Sequence, residues 1–363
     1  MKSMSKIIFI VEYEAVQPLL LRTEGIYDVA TRKVNGKDVP SIIARKMVRP
    51  LRNTLRDEAR KTSDEWIKKC NFPSEQMCCY CIDCLIFGGT NAKASSMGFN
   101  TRTIQLRTLA HPTDALAVVA DEKACIESET HTGVKEGRVA EIGQSLYSPF
   151  QVSQGTRFIG TFMLDLDKTK ADKEKIVNLF GTIFQRTNRY GARTAQEGLV
   201  KPKIIAIIDT PYECVTSYDL YGELKNSSNW STAINAYITT LQKKIPEIQI
   251  LQFSEVSETD LTKVDGVIEE LTKAIRNDLE SEGISLAADV KIDYKRDVEA
   301  GKEVEITVTE KSTKKPLKGV ELSIILPNKE LRKEITDDNG KIKIIPSLKG
   351  KIKVELTSSE KKE

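Results

Sequence analysis

The chain has 363 residues, 40% of them hydrophobic and 29% charged, and a formal net charge of +3 at pH 7. A chain of that length and content buries a large core and divides into two or more domains, and its small net charge excludes a uniformly basic protein, so any anion-binding surface must come from local segregation of basic residues. No segment reaches the roughly 18 uninterrupted apolar residues of a membrane helix.

The amino terminus reads as a strand, Lys6 to Glu14, and Glu12 and Glu14 interrupt its apolar run, a pattern that no signal peptide fits. The seven cysteines, an odd number, all lie between Cys70 and Cys214, as expected of a cytoplasmic chain whose thiols stay reduced. A loop containing Asp28 and the turn signal Asn35-Gly36-Lys37-Asp38 leads to Val39-Pro40-Ser41, where Ser41 is placed to cap a helix running to about Arg60. Ala44, Val48, Leu51, Leu55 and Ala59 form its apolar stripe, and Arg45, Arg49, Arg52, Arg56 and Arg60 follow on an adjoining one, with Lys46 beside them. Guanidinium forks suit phosphate geometry, and this row spans about 20 Å, which reads as an anion track. A salt-bridged surface helix is the alternative, and Pro50 predicts a kink or break.

Cys78, Cys79, Cys81 and Cys84 then fall within seven residues, with Cys70 upstream. Overlapping Cys-x-x-Cys steps bring thiolates onto one tetrahedral ion, so the expected site is a closed, structural one of Cys70, Cys81, Cys84 and either Cys78 or Cys79, holding one zinc per chain. The alternative is a group of reduced thiols without metal. The Gly88-Gly89 loop that follows carries Lys93, Arg102 and Arg107 as candidate phosphate contacts, and residues 124–154 read as an irregular, mobile insertion.

Regular structure returns with a strand after Arg157, a helix over Asp172 to Gln185, the turn Tyr190-Gly191-Ala192-Arg193-Thr194, and a strand over Lys203 to Asp209. Strands and helices in this order suit a ferredoxin-like α+β sheet with helices on one face. Asn229 to Lys244 and Glu258 to Glu282 read as further helices. Beyond Gly283 the apolar residues alternate (Val304, Ile306, Val308; Val320, Leu322, Ile324), which predicts a small β-sandwich resembling prealbumin-like or carboxypeptidase-regulatory-like domains. The expected division is a core of residues 1–62 and 155–215, an insertion lobe of 63–154 with the cysteines and a flexible thumb, a helical extension of 216–285, and the β domain of 286–363.

Val39-Pro40-Ser41 before a basic helix, Cys81-Ile82-Asp83-Cys84-Leu85-Ile86-Phe87-Gly88, Gly155-Thr156-Arg157-Phe158 and Tyr190-Gly191-Ala192-Arg193-Thr194, taken in order over residues 5–210, resemble the RAMP superfamily. Within it the chain is similar to guide-RNA-coating backbone subunits of CRISPR effector complexes, closest to the type I-D backbone protein. The resemblance implies a modified RNA-recognition-motif core with zinc-bearing and flexible insertions. Copies would stack head to tail on single-stranded guide RNA, with other effector subunits and a complementary target strand as partners. It implies RNA contacts from Arg45, Lys46, Arg49, Arg52, Arg56, Gly88, Gly89, Lys93, Arg102, Arg107, Arg157 and Arg193. The glycine that the family carries before the helix is missing from Ser41-Ile42-Ile43.

An enzyme is the competing reading. With His111 and His131 as its only histidines and no Gly-x-x-x-x-Gly-Lys-[Ser/Thr] loop, the chain fits neither a zinc deaminase nor a nucleotide-driven motor. One enzymatic reading survives, since family relatives cut target strands with an acid before the basic helix, and Asp28 holds a comparable place. The expectation is a binding module that does not cut. A protein-protein scaffold without nucleic acid is the third class.

Overall fold

The unbroken apolar run Ile7 to Val11 becomes the middle of a central strand buried on both faces. The computed structural model describes residues 5–21, 29–72, 77–94, 103–119, 125–128, 131–134, 144–147, 150–167, 169–190, 198–251, 261–282, 284, 290–310, 316–317 and 319–356. In chain order the first elements are β1 (Lys6–Ala15), β2 (Thr31–Val34), β3 (Lys37–Ile42), α1 (Ala44–Ala59), α2 (Glu65–Lys69), α3 (Ile82–Phe87), β4 (Gly89–Asn91), β5 (Ile104–Leu106), β6 (Ala110–Pro112) and β7 (Ala115–Ala117). Then come β8 (Ile126–Ser128), β9 (His131–Val134), β10 (Gln144–Tyr147), β11 (Phe150–Val152), β12 (Arg157–Asp165), α4 (Lys173–Arg186), β13 (Val200–Thr210), α5 (Ser217–Leu224), α6 (Trp230–Lys244), β14 (Gln249–Leu251) and α7 (Leu261–Ser281).

The chain divides into two units, residues 1–63 with 109–271, and residues 64–108 with 272–363. The first is built on an antiparallel sheet in the order β14-β13-β1-β12-β7-β3-β2, with β6 also paired to β12. It takes in β6 and β7, which the sequence reading assigns to the insertion.

On one face, Phe9 of β1 packs against Phe162 of β12 and against Phe180 and Phe184 of α4, with ring centroids 6.3, 6.1 and 5.7 Å away. Burying an aromatic of this size stabilises by about 1.5–3 kcal/mol, so this quartet anchors the unit. On the other face, Ile8, Ile10, Ile159 and Ile208 meet Leu220, Leu224, Trp230, Ile234 and Ile238 of α5 and α6. The expectation of helices on one face is therefore corrected. Two-sided burial follows from strands that are apolar at successive positions rather than at alternate ones.

The insertion is also more regular than its composition suggests. β8 pairs with β11 and β9 with β10, both antiparallel, forming paired ribbons between residues 126 and 152.

In the second unit, β4 pairs with β5 beside α2 and α3. Its C-terminal part holds two three-stranded antiparallel sheets, one of 290–293, 304–310 and 341–344, the other of 331–335, 321–325 and 353–356. Alternate residues of both, among them Ile306, Val308, Leu322, Ile324, Ile342, Ile344 and Val354, share one apolar core, as the period-two pattern requires.

Candidate metal centre and nucleic-acid interface

The cysteines are gathered by two short helices and a tight turn. Asp64 caps α2 by accepting the Trp66 N–H at 3.0 Å, and the helix ends on Cys70. Cys79 has φ of 54°, an uncommon left-handed conformation for a side-chain-bearing residue. The turn points the backbone N–H groups of Tyr80 and Cys81 at the Cys78 sulfur, at 3.4 and 3.2 Å. Cys81 then caps α3, which carries Cys84.

The sulfur atoms of Cys70, Cys78, Cys81 and Cys84 all lie within 4.8 Å of one another, and all four residues are buried. Cys84 Sγ is 3.5 Å from Cys70 Sγ and 3.8 Å from Cys78 Sγ. A tetrahedral ion at a metal–sulfur distance of about 2.3 Å sets its sulfur ligands about 3.8 Å apart, so the spacing fits a four-thiolate site. Without an ion the thiols compete for protons: hydrogen bonds from its neighbours push the Cys70 thiol down, and those with Cys70 push Cys81 and Cys84 up.

Cys79, also named as a candidate ligand, is outside the group. Its reversed backbone turns its sulfur elsewhere, and burial, with the Cys78 and Cys70 sulfurs, pushes its thiol up to about 12. The fourth member is Cys78.

Gly88 and Gly89 close this lobe. Gly88 has φ of +76° and a Cβ there would sit 3.0 Å from the Leu106 carbonyl oxygen, while one on Gly89 would meet Met77 Cε at 3.2 Å and the Cys79 and Cys84 sulfurs at 3.4 Å. At Gly88 only glycine takes this backbone without strain, and at Gly89 a side chain would require the Met77 tip to shift by a few tenths of an ångström. Arg276 of α7 braces the same lobe, with Nη2 2.8 Å from Asp64 Oδ2, Nε donating to the Tyr80 carbonyl at 2.7 Å, and its guanidinium 4.2 Å from the Tyr80 ring centroid. Nothing local to the cysteines signalled that partner, which is 196 residues from Tyr80.

Helix α1 begins later than expected. Ser41 is a buried residue of β3, Ile43 occupies the cap without a side-chain bond, and the Ala44 N–H donates to Asp114 Oδ1 at 2.6 Å. Asp114 also pairs with Arg32 Nε. The helix runs unbroken through Pro50. At its far end Glu58 is 7% exposed and takes Lys61 Nζ at 2.8 Å and Arg186 Nη1 of α4 at 2.5 Å. Burial pushes the Glu58 carboxyl up, but Lys61 and Arg186 outweigh it and hold it below its ordinary value.

The arginine row is not uniformly exposed. Arg45 and Arg49 are exposed and make no ion pair among the described residues, and Lys46 beside them is half-buried. Arg52 and Arg56 are 8% and 5% exposed and engage partners, which corrects the picture of one continuous track. The stripe keeps to one side of the helix, but Arg52 and Arg56 are covered, while Arg60 beyond them is exposed and pairs with Asp57 at 2.9 Å.

Arg157 pairs with Glu12 and lies 3.9 Å from the Trp230 ring centroid, so it is held in place within the first unit. In the second unit Arg107 is exposed, while Lys93 is half-buried beside the Asn91 turn, its N–H on Asn91 Oδ1 at 2.9 Å. Asp28, Arg102 and Arg193 lie outside the described residues.

A sheet covered on both faces, an exposed pair of arginines and a four-cysteine cluster define a CRISPR-type protein once the comparisons with known proteins are added. The chain belongs to the Csc2 CRISPR family, whose family model matches residues 2–285. The crystal structure of Thermofilum pendens Csc2 is similar at 20% identity and a TM-score of 0.50, covering 77% of this chain and 88% of that one, which shows the shared fold. A chain of a CRISPR RNA-guided surveillance complex matches at 14% identity and a TM-score of 0.42, over 73% of this chain and 99% of its own. No curated protein matches the chain. The β domain from 286 on lies outside the residues matched by the family model. Among the described residues, no helix is long and apolar enough to cross a membrane.

Proposed function

We propose that this chain is a non-catalytic backbone subunit of a CRISPR effector complex, of type I-D, which coats single-stranded guide RNA in head-to-tail copies and presents it to a complementary strand. The observation that carries the proposal is the exposed Arg45 and Arg49, without an ion pair among the described residues, on a helix fixed at both ends, by Asp114 and by the Glu58–Arg186 pair, in a chain of the Csc2 CRISPR family. The sheet order β13-β1-β12-β7, with α1 and α4 between the strands in sequence, supports reading the core as ferredoxin-like, a modified RNA-recognition motif. In that reading α5 and α6 cover the face on which an ordinary motif stacks bases, so phosphate contacts come from α1 instead.

Zinc is the ion that best suits four buried thiolates, and its part is structural, because four protein ligands leave no position for water. The ion fixes the turn between Cys78 and Cys84, and the chain is placed in the cytoplasm, where such thiolates stay reduced. Affinity for a labelled single-stranded RNA, measured across a salt series, tests the function. The RNA-binding reading expects Arg45→Ala with Arg49→Ala to weaken every sequence alike and to flatten the slope of log affinity against log salt by about 0.7 per lost contact. An unchanged slope and affinity would point to a protein scaffold.

A further inference from the structure

Exposed aromatic side chains are few among the described residues, and one of them is tied through Asp114 to the start of the basic helix. Among the described residues Phe150, Tyr212 and Tyr218 are 43%, 55% and 41% exposed. Tyr218 lies in the first turn of α5, and that turn is tied to the start of α1 through one residue, Asp114. The Ser217 hydroxyl donates to the Asp114 carbonyl oxygen at 2.6 Å, and the Ala44 N–H donates to the Asp114 carboxylate at 2.6 Å. Tyr218 and Arg45 are therefore each one residue away from a group bonded to Asp114. The Asp114 charge is answered by Arg32 and by the Ala44 N–H, so it does not set a bare acid beside Arg45. The Tyr218 hydroxyl faces the Asp114–Arg32 pair, and partial burial together with Asp114 holds it above its ordinary pKa. The hydroxyl thus lies close to a charged pair, while the residue as a whole stays 41% exposed.

We propose that Tyr218 is a stacking platform for an unpaired nucleobase of bound RNA, next to the nucleotides whose phosphates Arg45 and Arg49 hold. The inference rests on the RNA-binding reading above and assigns it a base-contacting residue. Every base has a π face, so a single ring of this kind holds any sequence, which is what a coat on an arbitrary guide needs. A tyrosine side chain has only two rotatable bonds, so little rotamer freedom is lost on stacking.

The test uses the full-length protein and single-stranded RNA carrying 2-aminopurine, whose fluorescence falls on stacking, with affinity measured in the same samples over a salt series. Binding to the wild type is expected to quench the probe. Tyr218→Ala is expected to relieve the quench and weaken binding about tenfold, without changing the salt slope, since no phosphate contact is lost. Tyr218→Trp keeps a platform and is expected to retain both affinity and quench, which separates a lost ring from a damaged fold. If Tyr218→Ala binds and quenches like the wild type while Arg45→Ala with Arg49→Ala weakens binding, the stacking assignment is wrong and the RNA-binding reading stands. If the wild type binds no RNA, both are wrong.

Discussion

Tyr13 and Tyr190 meet edge to face, with centroids 5.4 Å apart, deep in the first unit, and neither hydroxyl has a hydrogen-bond partner among the described residues. A buried hydroxyl without a partner carries its desolvation cost uncompensated. Tyr190→Phe keeps the ring contact and removes that cost, so it should leave stability unchanged or raise it by up to about 1 kcal/mol. Denaturant midpoints compare the two proteins, and a clear loss would reveal a bond that the hydroxyl makes. The cysteines give a sharper contrast, because Cys78 belongs to the four-sulfur group and its neighbour Cys79 does not. Cys78→Ser should lose the metal and loosen the lobe around α2 and α3, whereas Cys79→Ser should keep about one zinc per chain by elemental analysis. Equal metal loss in both variants would contradict the assignment. The site was legible in the sequence because thiol ligands cluster locally. The choice between Cys78 and Cys79 was not, since it turns on the left-handed backbone at Cys79.

At the scale of the element, α1 shows what a helix pattern reveals and what it hides. Its amphipathic stripe and basic row follow from residue spacing alone. The covering of Arg52 and Arg56 depends on what packs over the row, which the helix's own sequence does not encode. Its anchors are just as distant: Asp114 is 70 residues from Ala44, and Arg186 belongs to α4. Such partners leave no local signal. Helices of five and six residues, α2 and α3, are likewise too short to display a period. The Glu58 anchor carries a pH signature. Its carboxyl is held below the ordinary value in the fold, so its contribution is present above the unfolded pKa of about 4.3 and lost as pH falls through the lower, folded value. Glu58→Gln should cost about 1–3 kcal/mol near neutral pH, and the gap to the wild type should close in acid. A gap that does not change with pH would mean that the ion pairs are not its source.

For the whole molecule, the family match ends at residue 285, before the two C-terminal sheets and their separate core. The strands β1, β12 and β13 and several of the C-terminal ones were legible because continuous apolar runs mark two-sided burial and alternating ones mark a shared core, whereas β2, β3 and the short strands β4 to β11 carry no such run. The covering of the main sheet by α5 and α6 was not, because it joins segments far apart in sequence. A coat on RNA demands that each copy contact the next through two different surfaces, which builds filaments rather than closed pairs. The nuclease alternative makes its own demand: Asp28→Ala should abolish regular cuts in a complementary strand. The binding reading expects no cuts from the isolated wild-type subunit with magnesium, and unchanged guide affinity in the variant. The most direct measurement of the central claim is particle mass, by light scattering, of the protein mixed with single-stranded RNAs of increasing length. Coating predicts that mass rises in steps of one subunit as the RNA lengthens, and a mass that stays fixed at one chain per RNA, or no complex at all, would contradict it.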